Sequence, residues 1–142
     1  VATASCRSIR GRPPSRCWAS CRAEADLTGA RETVWLALSE LWLDTQPDAA
    51  SLGHLAGVLR RSGFSRAELE QIFLYEVAPR VWLNHWSVAG VWDGFDAQWL
   101  YAGCRRNQQG GRWHRWKCRL LRRPMTYACA ADWQQVLAQL EP

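Results

Sequence analysis

Few groups in this chain have the types and spacing that chemistry requires, and each has a competing structural use. Asp93 and Asp96 lie at i and i+3 beside Gly94. Two carboxylates so placed could bind a cation or divide the work of a general acid and base. The expected use is plainer: Asp93 caps the helix that follows, and Asp96 complements its dipole. Glu76 stands four residues before Arg80 and is expected to pair with it. The alternative is that Glu76 points into a small polar site with Asn84. His114 and Cys118 are i and i+4, so on a helix they share a face, and with Cys104 they could form part of a metal site. The expected role of these thiols is that of small buried apolar groups, and no metal or cofactor is assigned. His54, His85 and His114 are far apart, without ligand-like spacing. There is no Walker loop, no G-x-G-x-x-G, no H-E-x-x-H and no G-x-S-x-G. The chain therefore reads more as a binding protein than as an enzyme.

Helices must position these groups. The first is expected from Thr28 or Gly29 to Asp44, because Val34, Trp35, Leu38, Leu41 and Trp42 make one wide apolar stripe. The second runs from Pro47 to Ser62 on Leu52, Leu55, Ala56 and Leu59, with Gly63 at a left-handed cap. The third opens with Ser65-Arg66-Ala67-Glu68, a capping box flanked by Phe64 and Leu69 at hydrophobic-staple positions. Leu69, Ile72 and Phe73 form its face, and Pro79 predicts a break or kink near Ala78. Between Val81 and Gly94 the periodicity weakens, so a loop with one short helical turn is expected. A fourth helix is expected from Gly94 or Phe95 to Arg106, with Trp92, Phe95 and Trp99 as a core stripe. Gln108 to Gly111 form a loop. Arg112 to Arg123 fits a helix with Trp113, Trp116 and Leu120 on one face and Arg112, Arg115, Arg119 and Arg122 beside them. It also fits a strand alternating Trp116, Cys118 and Leu120 with charge. The helix is preferred, because no other strand is evident to complete a sheet. Pro124 closes that element, and a last helix from Thr126 to Leu140 carries Trp133, Val136, Leu137 and Leu140.

These elements imply an all-α fold, a compact bundle of about five or six short helices. With 142 residues, 48% hydrophobic and 22% charged, the chain can bury a substantial core, and ten tryptophans make that core rich in indole. No apolar run approaches the roughly 18–20 residues of a membrane span. The net charge of +5 is unevenly spread. Residues 1–31 and 95–142 are basic, and residues 32–94 are acidic. Lys117 is the only lysine among the 18 basic residues. Arginine suits phosphate and carboxylate recognition, but the preferred reading of the excess is a GC-rich coding bias.

Residues 1–28 stand apart as a basic leader, and residues 29–142 as a single helical domain. The leader is rich in Arg, Ser, Ala and Cys and lacks the apolar core of a secretory signal. It resembles an organellar transit peptide in composition. The simpler reading is a disordered or loosely attached tail, or sequence upstream of a true start, and a short helix over Arg16–Ala25 is compatible with it. Cys17 and Cys21 lack a second pair at zinc-finger spacing, so reduced thiols and a cytoplasmic location are expected.

Ala37-Leu38-Ser39-Glu40-Leu41 with Leu43-Asp44-Thr45, Glu76-Val77-Ala78-Pro79, Asn84, and Ser87-Val88-Ala89-Gly90 with Trp92 and Gly94-Phe95 form a recognisable series. It resembles a family of small uncharacterised bacterial proteins, a domain of unknown function, over about residues 30–100. Asp132-Trp133 to Leu137 fits more loosely. The resemblance implies a compact, mainly helical bacterial cytosolic protein, and it brings no activity, cofactor or catalytic residue. Trp82 and Trp86 stand where smaller residues are expected.

The expected function is protein interaction, of an adaptor or immunity type, through the acidic middle region. Acidic surfaces steer and hold basic partners. The candidate binding residues are Glu70, Glu76, Asn84, Trp92, Asp93 and Asp96. Charge reversal at Glu70 and Glu76 should then weaken partner capture and leave the helical signal intact. The alternative partner is nucleic acid, bound by the stripe Arg112, Arg115, Arg119 and Arg122 with stacking from Trp113 and Trp116.

Overall fold

The structure, a computed structural model, describes residues 15–43, 47–87 and 95–140. Its elements are α1 (Ser15–Ser39) with a 3-10 turn (Glu40–Trp42), α2 (Ala49–Arg61), α3 (Arg66–Ile72), a π-helical segment (Phe73–Val77), α4 (Ala78–Ser87), α5 (Ala97–Gln108), α6 (Arg112–Leu120), α7 (Arg122–Thr126) and α8 (Ala130–Leu140). There is no strand among the described residues, and the all-α reading holds.

Local signals fix the early boundaries. Asp48 accepts the Ser51 amide at 2.7 Å and caps α2. Gly63 ends the following turn with φ +77°, where an L side chain would be strained. The Ser65 capping box is complete: Glu68 N–H donates to Ser65 Oγ at 3.3 Å, and Ser65 N–H donates to Glu68 Oε2 at 2.8 Å. Phe64 packs half-buried against the core, and Leu69 is buried.

The core lies where α1, α3, α4 and α5 surround the π segment, with α8 packed along α2. Trp35, Leu38, Leu59, Leu69, Ile72, Val77, Val81, Leu100 and Val136 are fully buried within it. An aromatic file crosses the bundle. Trp42 sits 5.2 Å from Phe73, and Phe73 stacks on Trp133 of α8 at 4.4 Å. The Trp42 indole N–H donates to Met125 O at 3.0 Å, which fixes α7 against the end of α1.

Several boundaries differ from the sequence reading. The first helix does not begin at Thr28 or Gly29. It reaches back to Ser15, so the short helix over Arg16–Ala25 is its first part. Gly29 has open space around it, and a helix tolerates it there. Pro79 does not break the chain. It is the second residue of α4, and the turn before it widens to π geometry instead. Residues 81–87, expected as loop, continue α4, with Val81 buried and Trp82 half-buried against the core. Asp96 caps α5, its Oδ1 accepting the Trp99 amide at 2.7 Å. Asp93, expected in that role, lies outside the described residues. Arg112–Leu120 is helical. Pro124 does not close that helix but sits third in α7, where its missing N–H has no intrahelical partner to lose. The last helix therefore starts at Ala130, not at Thr126.

Candidate functional site

The π segment collects the polar chemistry of the interior. A proline at position 79 has no N–H to reach back to Tyr75 O, as a regular α-helix requires. The widened turn instead bonds Ala78 N–H to Phe73 O, one residue further back than in an α-helix. Side chains from other helices meet the carbonyls of this turn. Tyr75 O lies 2.8 Å from His114 Nε2 of α6, and Glu76 O accepts Asn107 Nδ2 of α5 at 2.8 Å. A carbonyl only accepts, so this contact assigns the proton to Nε2 of His114. Cys118 Sγ lies 3.5 Å from the same nitrogen, which therefore cannot serve it as a base. Burial also pushes the Cys118 thiol up, away from the reactive thiolate. His114 and Cys118 do share a face, but no cluster of three metal-ligating groups exists among the described residues.

Glu76 is buried in the same turn. Its carboxylate accepts from Arg31 Nε at 3.0 Å, Arg31 Nη2 at 2.6 Å and Trp35 Nε1 at 2.7 Å, all from α1. The expected Glu76–Arg80 pair does not form. The i,i+4 register presumes a regular α-helix, and the π turn interrupts that phase. Arg80 lies over the Trp99 ring instead, 3.5 Å from its centroid, and donates to Trp99 O at 3.0 Å. Gly103 makes room for it, since a Cβ there would stand 2.1 Å from Arg80 Nε. Gly110 is needed in the same way, because a Cβ would meet the His114 ring at 2.7 Å. The cavity left beside Glu76 and His114 is about 160 Å³. Glu76 is thus held by its three donors, which tie the π segment to α1.

Of the candidate binding residues, the three whose side chains the structure describes, Glu70, Glu76 and Asp96, lie apart from one another. Glu70 is exposed on α3 and pairs with Arg66 at 3.1 Å, Glu76 is interior, and Asp96 is a cap. Asn84 falls in α4 with its side chain outside the described set, and Trp92 and Asp93 lie outside the described residues. Three other acids of the middle region are also engaged. Glu32 pairs with Arg105, and Asp48 and Glu68 hold helix starts, where hydrogen bonds from Ser51 and Ser65 keep their carboxyls below the usual range.

The open surface is on α6. Trp113 is 68% exposed, Trp116 51% and Leu120 67%, and the two indoles stack at 4.8 Å. Arg112, Arg115 and Arg119 flank them around a shallow depression. Arg115 lies over the Tyr75 ring at 4.4 Å, and Arg119 Nε donates to Tyr75 Oη at 3.0 Å. Two members of the basic stripe are thereby fixed by the π segment, while Arg112 and Arg122 make no ion pair among the described residues. Sequence periodicity placed these residues on common faces, but which face is covered depends on how α6 docks. His114 and Cys118 point inward and leave the tryptophans outside.

A family model described as a domain of unknown function (DUF7079) matches residues 29–139, and the chain belongs to that family. No curated protein and no solved structure matches the chain. No helix among the described residues is long and apolar enough to cross a membrane.

Proposed function

We propose that this family member is a protein-interaction module, an adaptor or inhibitor, that docks an acidic partner through the outer face of α6. The observation that carries the reading is the stacked, exposed Trp113–Trp116 pair with Leu120 beside it, bordered by Arg112 and Arg119. Tryptophan and arginine dominate the energetic centres of protein interfaces. Covering half of one such indole removes about 100 Å² of apolar surface from water, worth about 2–3 kcal/mol before the costs of association. The acidic middle region carries a docking reading less well, because Glu32, Asp48, Glu68 and Glu76 are held in caps and ion pairs. Nucleic acid is the second reading, favoured by the arginines one turn apart and the indole platform. Exposed Leu120 and Leu121 and the attachment of Arg115 and Arg119 to Tyr75 weigh toward protein.

The test immobilises the whole chain and its Trp113→Ala/Trp116→Ala variant and passes lysate of the native organism over both, with and without nuclease. The expected result is a stoichiometric protein that resists nuclease and is lost from the variant. Equal retention on the variant overturns the reading. Recovery of nucleic acid alone, falling steeply with salt, replaces it with the second.

A further inference from the structure

A second open feature also borders Tyr75. A cleft of about 610 Å³ runs between α3 with its π extension and α7 with α8. That volume is within the roughly 300–1,000 Å³ of small-molecule sites. Leu74 and Tyr75 form one wall, Ala130 and Gln134 the other, and Trp133 closes the base where it stacks on Phe73. Arg122 and Arg123 line the α7 end, and neither makes an ion pair among the described residues. Glu70 is the only carboxylate of the lining, and Arg66 already holds it. The cleft thus offers two uncommitted guanidinium groups next to apolar and aromatic surface.

We propose that this cleft binds a small phosphate ester with an aromatic or heteroaromatic body. Two guanidinium groups lining one cleft match the double charge and multiple acceptor oxygens of a phosphate monoester, through forked hydrogen bonds. A planar body lies against Leu74 and Tyr75, with the Gln134 amide at hand for a polar edge. No residue of α6 lines the cleft, although Tyr75 at its edge also holds Arg115 and Arg119, and the proposal stands or falls without the docking function.

The experiment is calorimetric titration of the full chain with phenyl phosphate, AMP and inorganic phosphate, with amide chemical shifts followed at Ala130 and Gln134. The expected result is that at least one of the two aromatic esters binds about tenfold or more tighter than inorganic phosphate and shifts both amides. Arg122→Gln/Arg123→Gln should weaken that binding by about tenfold or more. Ala130 is exposed at the first position of α8, so Ala130→Glu adds an acid where the helix dipole favours one. It should abolish binding and leave the circular dichroism spectrum unchanged. Trp113→Ala/Trp116→Ala should bind the ester normally, which separates this site from the docking face. Four results overturn the proposal: no binding at millimolar ester, esters binding no better than inorganic phosphate, or either Arg122→Gln/Arg123→Gln or Ala130→Glu binding as the native chain does.

Discussion

Glu76 is a carboxylate that water barely reaches, and its hydrogen bonds come from α1, a helix more than forty residues away in sequence. Arg31 is only partly exposed, so Glu76→Gln leaves a guanidinium group without its counter-charge. Breaking such a pair from one side costs about 3 kcal/mol when it is buried. We therefore expect Glu76→Gln to lower the urea midpoint strongly, whereas Glu70→Gln, at an exposed i,i+4 pair, should cost under about 0.5 kcal/mol. Equal effects would show that burial does not set the value of the Glu76 contacts. The same contrast bears on the acidic face expected from sequence. Charge reversal at Glu76 should damage the fold and cannot report on docking. The residue types were legible in the sequence. The partner of Glu76 was not, because i,i+4 spacing suggests Arg80 and no local pattern points to Arg31.

At the scale of elements, the π segment is the least predictable part of the fold and the most connected. Pro79 advertises a disturbance, and a break or kink near Ala78 is the natural expectation. A π turn became stable because side chains from α5 and α6 satisfy its carbonyls. His114→Ala should leave Tyr75 O without its partner and cost about 1–3 kcal/mol. Pro79→Ala restores an N–H that can close on Tyr75 O, so the double variant should lose less than His114→Ala alone. A double-mutant cycle by chemical denaturation measures this coupling. Strict additivity would mean that the proline and the histidine do not compensate each other. The capping box of α3, by contrast, needed no tertiary help and formed as its spacing predicts.

For the molecule as a whole, the core is closed partly by thiols. Burial pushes the thiols of Cys104 and Cys129 from an ordinary 9.0 up to about 12, and at Cys104 nearby Glu76 adds to the effect. The folded state therefore keeps two protons that an unfolded chain releases above pH 9. Their contribution is fully present below that pH and is lost as pH rises toward 12, by up to about 1.4 kcal/mol per pH unit for each thiol. Denaturant unfolding between pH 8 and 11 should show this fall, and Cys104→Ala/Cys129→Ala should flatten it. An unchanged slope would assign the alkaline loss to other groups. The same burial should protect both thiols from alkylation in the native state.

The sequence by itself determined the helical class, the apolar faces of α2, α3 and α8, and the caps at Ser65 and Gly63. These features depend on neighbours within one or two turns, and local spacing encodes them completely. Tertiary structure decided the rest. It turned the helix-breaking Pro79 into a π turn, sent Glu76 to α1 and Arg80 to Trp99, and carried α4 through the residues that read as loop. It also left Trp113 and Trp116 in water, although tryptophans in this chain otherwise read as core. Periodicity tells which residues share a face, but not which face a neighbouring helix will cover. That choice is made by the packing of the whole bundle, and here it set the inward face of α6 on His114 and Cys118.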